Sequence, residues 1–571
     1  MFRKVRLSFL CICSIIICIL IFSFIDQYSR ANFNQELVRN PHNPISITQE
    51  PSSSQRKYAD EVFPEQRNRV HDSVIIPDFE ILVLVSSDHN QFSSLDVGDN
   101  IYCLFQNNST SPAKSTGVLP SSGSKIFKCS IPENLRDLKS IHPPILRTSP
   151  EDYSLSSPDE SLEKKVFSWN TSLCYDSFSN EEDLILFVKG VNKNPLAINK
   201  SSSEFKCLFT NGINNSTTVI TSVTSSSQEV FRCLHPTETE ILGLGDEKIR
   251  VSLQVKDWVV PSVAYYTPPA RNLVRPEKKL LCASTMVYNV SQFLREWVVY
   301  HSKLGIDKFI FYDNGSEDGL QNVVNGLGGD YNVDIEVIFW PWPKTQEAGF
   351  SHSAIRSRDS CTWMMYTDVD EYVFSPKWVN SLEPSSDMLT SLLPSNISSL
   401  PFQKIGQVQI FCYEFGPSDQ KVHPVEGVTQ GYTCRRRILN RHKSIVLLDA
   451  IDTSLHNVIH HFELKDGFHD RKVSSRDAVV NHYKYQAWSE FQAKFKRRVS
   501  AYVVDWTDPV NPISKDRTPG LGFEPVEPND WGKRFCEVQD TGLKMLTQKW
   551  FGLVSSEGHK MVWQDAKVHT W

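Results

Sequence analysis

The rhythm of apolar and polar positions changes several times along this chain. Leu7 to Ile25 carry no charge and are broken only by Ser8, Ser14 and Ser23. At about 1.5 Å per residue, such a helix nearly spans a bilayer core of about 30 Å. Arg3, Lys4 and Arg6 precede the run and Asp26 follows it. The positive-inside rule therefore makes 1–6 a cytosolic tail and 7–25 a transmembrane signal anchor, with the remaining chain in the lumen. The rival is a cleaved signal peptide, but the run exceeds an h-region of about 7–15 residues and no clear A-x-A site follows. Residues 26–70 are polar, with clusters such as Pro51-Ser52-Ser53-Ser54-Gln55, and are expected to form a flexible stem.

From Ser73 the pattern becomes one of short strands. Phe79 to Val85 and Ile101 to Phe105 are rich in β-branched and aromatic residues, with Ser, Asn, Gly and Asp between them. Residues 71–265 are expected to be an all-β, sandwich-like region. The pattern also repeats. Cys103 and Cys129 lie 26 apart, as do Cys207 and Cys233, and an offset of 104 superposes the two pairs. The same offset aligns Asp72-Ser73 with Asp176-Ser177 and Ile126-Phe127-Lys128-Cys129 with Val230-Phe231-Arg232-Cys233. This reads as two related β units or two halves of one sandwich, coincidence being the alternative. Each Cys pair is a candidate local disulfide, with Cys174 as a competitor.

After Pro261, Pro268, Pro269 and Pro276 the period changes again. Leu280 to Met286, Phe309 to Tyr312, Val333 to Phe339 and Trp363 to Tyr366 read as four strands. Phe293, Leu294, Trp297, Val298, His301 and Leu304 fall at helical spacing, and Gln346 to Asp359 can be helix. Strands alternating with helices predict an α/β domain with a mostly parallel sheet and a ligand crevice at the strand carboxyl ends, over 279–540. Residues 541–571 are left as a C-terminal extension.

Composition narrows the function. Of 571 residues, 40% are hydrophobic and 22% charged, which excludes a disordered, collagenous or polytopic chain. The net charge of −6 argues against a nucleic-acid partner. Three of the 13 cysteines (Cys11, Cys13 and Cys18) lie in the anchor, and disulfides are permitted for the others in a lumenal compartment. Sequons begin at Asn107, Asn108, Asn170, Asn199, Asn214, Asn215, Asn289, Asn314 and Asn396, most densely in the β region.

Chemistry concentrates at Tyr366-Thr367-Asp368-Val369-Asp370-Glu371-Tyr372, where an apolar strand runs into D-x-D. Strand side chains alternate faces, so Asp368 and Asp370 are expected to point the same way. Paired carboxylates repel unless a cation lies between them, and Mg²⁺ or Mn²⁺ commonly bridges carboxylates to phosphates. The bland alternative is a solvated acidic turn. An EF-hand is excluded, because Val373 stands where glycine is needed. Asp313-Asn314-Gly315-Ser316-Glu317-Asp318 follows the second strand and offers a carboxylate and an amide to a ribose or base, or simply a turn into a helix. The basic run Arg435 to Lys443 suits a diphosphate or an anionic acceptor, or is a solvated strand face. His456, His460, His461 and His482 could each supply a metal ligand, although the spacing is not that of a structural zinc. Trp488, Phe491 and Phe495, with Lys494, Lys496, Arg497 and Arg498 between them, read as an amphipathic helix. No P-loop, nucleophile elbow or H-E-x-x-H motif occurs.

These motifs in this order resemble glycosyltransferase family 92. The resemblance rests on Cys282, on Leu294-Arg295-Glu296-Trp297-Val298-Val299-Tyr300-His301, and on Gly305-Ile306-Asp307 leading into Tyr312-Asp313-Asn314-Gly315-Ser316. Gln346, Asp368-Val369-Asp370-Glu371, Phe415-Gly416, Lys443-Ser444-Ile445 and Asn481-His482-Tyr483 continue it. It covers about 279–510. One departure is that Asn289 is followed by Val290, where the family usually has Glu. The resemblance implies a GT-A fold (Rossmann-like), a nucleotide-sugar donor with UDP-galactose foremost, a divalent metal (Mn²⁺ or Mg²⁺) and inversion at the anomeric carbon. It implies metal ligation by Asp368, Asp370 and His482. Donor contacts are expected from Thr285, Asp313, Asn314, Asp318, Gln346, Asp368, Arg437 and Lys443. Single displacement needs a base, for which Glu414 is the first candidate and Asp449 and Asp452 the alternatives. The β region resembles the β domain preceding the catalytic domain in plant galactan synthases of this family, thought to bind carbohydrate. The expectation is a single-pass type II Golgi enzyme acting on a glycan or cell-wall polysaccharide, with a homodimer as a candidate assembly. Two other classes compete: a non-catalytic carbohydrate-binding scaffold on the same fold, and a lumenal hydrolase that uses paired carboxylates without a nucleotide.

Overall fold

The computed structural model describes residues 72–86, 101–136, 140–148, 166–192, 201–211, 217–245, 248–269, 277–394, 404–458, 460–496, 527–555 and 558–564. The expected anchor and stem lie outside them. Among the described residues no helix is long and apolar enough to cross a membrane.

The β region is a duplication. Its first unit contains β1 Asp72–Ile76, β2 Glu80–Val85, β3 Ile101–Leu104, β4 Thr110–Val118, β5 Lys125–Ser130, β6 Ile145–Arg147 and β7 Val166–Ser168. The second contains β8 Leu173–Ser179, β9 Leu184–Lys189, β10 Phe205–Asn211, β11 Thr218–Ser227, β12 Val230–Cys233, β13 Ile249–Val255, β14 Trp258–Val259 and β15 Tyr265–Tyr266. The strand orders β6-β3-β4-β5-β2-β1 and β13-β10-β11-β12-β9-β8 are the same. Cys103–Cys129 and Cys207–Cys233 form the two disulfides expected from the repeat, and Cys174 stays a buried thiol that burial pushes up to about 12.

The third sheet contains β16 Lys279–Val287, β17 Lys308–Asp313, β18 Asp334–Phe339, β19 Cys361–Tyr366, β20 Glu371–Phe374, β21 Lys404–Phe415, β22 Cys434–Leu447, β23 Phe468–Lys472 and β24 Val479–His482. The four strands read from the sequence are parallel neighbours in the order β18-β17-β16-β19. Beyond β19 the expectation of a mostly parallel sheet fails, because β22 joins β19 antiparallel and the order continues β22-β21-β24-β20 with both senses of pairing. The sheet is therefore mixed. Two further disulfides, Cys282–Cys361 and Cys434–Cys536, were not signalled by any repeat.

Alternation along the strands gives the sheet two apolar faces. Leu281, Ala283, Phe309, Phe311 and Met365 point to one core, shared with α1 Ser291–Lys303, α2 Leu320–Tyr331 and α5 Gly542–Phe551. Residues beyond 541 thus help build the core, through Leu543, Leu546, Trp550 and Phe551. Cys282, Ile310, Tyr312, Met364 and Tyr366 point to the other core, shared with α3 Gln346–Arg356 and with Leu84, Trp169, Tyr175 and Phe187 of the β region. Fully burying one such side chain is worth about 1.5–3 kcal/mol, so this shared cluster fastens the β region to the sheet. Glu317, in the loop after β17, adds ion pairs to Lys114 and Lys128 of the first unit.

Candidate functional site

Chain geometry brings the acidic motif to the carboxyl end of β19, where the strand stops at Tyr366 and a turn leads into β20. Asp368 and Asp370 sit in this turn, not on a continuing strand, so the turn and not strand alternation sets their directions. Helix α1 fixes the exit of the turn. The buried Trp297 donates its indole N–H to the Glu371 carbonyl at 2.9 Å, and the Tyr300 hydroxyl donates to the Val373 carbonyl at 2.7 Å. His301 donates from Nδ1 to the Trp297 carbonyl and accepts from the Val373 N–H at 3.4 Å. Burial pushes His301 down to about 3, which keeps the neutral ring that this pattern needs. These are residues of the Leu294–His301 block, and their work is to hold the acidic turn.

Each acid has its own partners. Asp368 Oδ2 accepts from Lys443 at 3.1 Å, and its Oδ1 accepts from the Gln346 amide at 3.2 Å, at the start of α3. Lys443, Nζ buried on β22, also lies 2.7 Å from Glu371 Oε1 and 2.7 Å from His460 Nε2. Asp370 Oδ2 accepts from Lys494 of α4 Trp488–Lys496 and lies 3.6 Å from His482 Nε2. His482 Nδ1 is 3.4 Å from Glu371 Oε1. Strand pairing enforces this contact, because Glu371 on β20 is directly opposite His482 on β24. Ligand atoms of Asp370, Glu371 and His482 all lie within 4.8 Å of one another.

Electrostatics divide the cluster. Burial opposes ionisation of Asp368, but Lys443, His460 and His482 hold its carboxyl well below the usual range. Burial likewise opposes ionisation of Asp370, and Lys494 and His482 overcome it. Glu371 is pushed up by burial and by the two aspartates against the pull of Lys443, while burial pulls Lys443 down and Asp368 and Glu371 more than offset it. Burial lowers His482 to about 4, leaving one ring nitrogen with a lone pair at neutral pH. Two carboxylates and a neutral imidazole form an oxygen-rich donor set that suits Mn²⁺ or Mg²⁺.

Glu414 lies one strand further on, in parallel register with His482. It is buried and spoken for. Its carboxylate accepts from Lys484 at 2.5 Å, Arg436 at 3.0 Å and Asn440 at 3.1 Å. Lys484 first, then His482 and Arg436, bring it down to about 2 despite burial. Such a carboxylate is a poor base and a good anchor for two cations.

The remaining expected contacts separate. Asp313 ends β17, where its Oδ1 accepts from the Ser316 N–H at 2.9 Å. Asn314 spends its amide on the Trp340 and Trp342 carbonyls at 2.7 and 2.9 Å, tying two strand ends together. Asp318 accepts from the Ser291 N–H at 2.7 Å and so caps α1. Thr285 is fully buried within β16. Arg437 is exposed, and its backbone N–H donates to Glu537 at 3.0 Å. Asp449 lies toward the opposite strand ends, 3.5 Å from Lys278 and 3.9 Å from Arg358, and is not brought to the cluster. Asp452 accepts from the Ser454 N–H at 2.8 Å, at the root of the loop that carries His460. Val290 begins α1 and packs against the core, while Asn289 accepts from the Glu317 N–H at 2.7 Å.

Carboxylates, an imidazole and lysines thus gather beyond the strand ends of an open α/β sheet, the place where such sheets bind ligands. Comparison with known proteins makes this specific. Residues 277–515 match the sequence profile of glycosyltransferase family 92. A family 92 protein of Arabidopsis thaliana is 36% identical over 573 residues, covering 96% of this chain and 94% of that protein. One from Ricinus communis is 37% identical over 498 residues, covering 83% and 82%, and one from Oryza sativa subsp. japonica is 40% identical over 391 residues, covering 65% of each. Among solved structures, a mannosyltransferase of Pyrobaculum calidifontis in complex with GDP-Man and Mn²⁺ aligns over 39% of this chain and 62% of that chain, at 10% identity and a TM-score of 0.25, too distant to carry an argument. The chain belongs to glycosyltransferase family 92 and is a glycosyltransferase.

Proposed function

We propose that this enzyme transfers galactose from UDP-galactose to a glycan, a cell-wall polysaccharide foremost. In this reading it is a metal-dependent inverting GT-A enzyme held in the Golgi membrane by residues 7–25, with its catalytic domain in the lumen. The observation that carries the proposal is the meeting of Asp370, Glu371 and His482 beyond β19, beside Asp368 and Lys443.

A divalent ion held by Asp370, Glu371 and His482 would supply Lewis-acid neutralisation of the departing diphosphate. The chain's own residues do the rest. Gln346 and Lys443 orient Asp368 toward the same pole. Lys443 and Lys494 add positive charge where the departing diphosphate gathers negative charge. Glu414 holds Lys484 and Arg436 beside His482. The acceptor hydroxyl attacks the anomeric carbon from the face opposite the diphosphate and gives up its proton to a base, while the bond from that carbon to the diphosphate oxygen breaks and the configuration inverts.

The test is UDP release by the detergent-solubilised full chain, with Mn²⁺, a panel of UDP-sugars and oligosaccharide acceptors. UDP-galactose is expected to turn over fastest, and proton NMR of the product to show the inverted anomer. Turnover with another sugar would overturn the donor assignment. Glycan binding without turnover of any donor would leave a scaffold in place of the enzyme.

A further inference from the structure

The amphipathic pattern of α4 assigns Lys494 to a solvated helix face, yet its ammonium reaches into the cluster. It donates to Asp370 Oδ2 and lies 3.4 Å from His482 Nε2. His482 Nδ1 faces the Glu371 carboxylate at 3.4 Å, and its Nε2 faces both Lys494 and Asp370. One carboxylate oxygen and one imidazole lone pair are also what a divalent ion needs from these two residues.

Two positive centres cannot share those atoms. Glu371 is already balanced by Lys443 at 2.7 Å, and Asp370 is balanced by Lys494. An ion entering beside Lys494 would place two like charges within contact distance in a water-poor site, where repulsion is strong. An ion entering in its place removes the conflict. Lys494 is free to leave. Its side chain is 37% exposed, against 9% for Lys443, and a lysine is a point charge on a flexible stem. A displaced ammonium on that stem stays within a few ångströms of the ion, where a diphosphate gathers negative charge.

We propose that Lys494 competes with the divalent ion for Asp370 and His482, and that the displaced ammonium contacts the diphosphate of the donor. This rests on the metal reading above and adds an order to it: metal first, then nucleotide with Lys494. Lys443, held by Asp368, Glu371 and His460 together, stays in place throughout.

Manganese binding to the solubilised full chain, followed by the EPR signal of free Mn²⁺ without nucleotide, tests the competition. Lys494→Met keeps the apolar stem and removes the charge, and Lys494→Gln is the second variant should the first fold poorly. Both are expected to bind Mn²⁺ about tenfold more tightly than the parent protein. At saturating Mn²⁺ both are expected to bind UDP about tenfold more weakly by calorimetry. Parent protein that binds Mn²⁺, with variants that bind it equally or less well, overturns the competition and leaves the metal reading standing. Unchanged UDP affinity overturns the diphosphate contact. Absence of Mn²⁺ binding in parent and variants alike overturns both the competition and the metal reading.

Discussion

Asp370→Asn lowers kcat/KM by about 10³-fold, or about 4 kcal/mol, while leaving the fold intact. Asparagine preserves the shape but gives up the charge on which Lys494 and a divalent ion both depend. Little stability is lost, because Lys494 can turn to water, and partly exposed pairs are worth about 1 kcal/mol or less. Mn²⁺ affinity is expected to fall about 100-fold or more, since even outer partners of metal ligands cost 10–100-fold. Asp449→Asn is the control. Its carboxylate is exposed and paired with Lys278 and Arg358 away from the cluster, so steady-state kinetics should stay within about twofold. Comparable losses in the two variants would mean that the turn after β19 is not where donor chemistry occurs.

Glu414→Gln has the opposite signature: a large stability loss and a modest kinetic one. Removing one member of a buried ion pair costs about 3–5 kcal/mol, because the other is left uncompensated. Here the abandoned group is Lys484, which burial already lowers to about 8. Urea unfolding measures the gap between parent and variant. Glu414 is depressed to about 2, so its contribution is fully present above the unfolded value near 4.5 and is lost as pH falls from there toward 2. Above about 8, Lys484 gives up its proton and the pair weakens from the other side. The stability gap is therefore widest between about pH 5 and 8 and narrows both ways. The folded variant should keep kcat within about tenfold. A fall of 10²–10⁴ with unchanged stability would instead identify Glu414 as the general base.

Much of the fold was legible because it is local. The four parallel strands and α1 announce themselves by period, and the repeated cysteine spacing marked a duplication that the matching strand orders then display. The mixed half of the sheet was not legible, since β22, β21 and β24 are placed by pairings between residues far apart in sequence. The site divided in the same way. Asp368, Asp370 and His482 stood out by residue type, and Gln346 and Lys443 came with the family blocks; all five meet. Glu371 could have been found as the third acid of the motif, but its contact with His482 exists only through the pairing of β20 with β24. Lys494 looked like one of several helix-surface cations, and nothing local separates it from Lys496. Asn314 and Asp318 display the turn-and-cap role that the sequence also offered, because an amide and a carboxylate at a strand end serve the backbone as readily as a ligand.

The most direct test of the account is crystallographic: anomalous scattering from Mn²⁺ in protein soaked with UDP. A single strong peak within coordination distance of Asp370 and His482, next to the nucleotide diphosphate and with Lys494 moved off Asp370, is the predicted result. A nucleotide bound elsewhere, or bound beyond β19 with Lys494 still on Asp370 and no metal peak, would contradict the metal-dependent transferase at its centre.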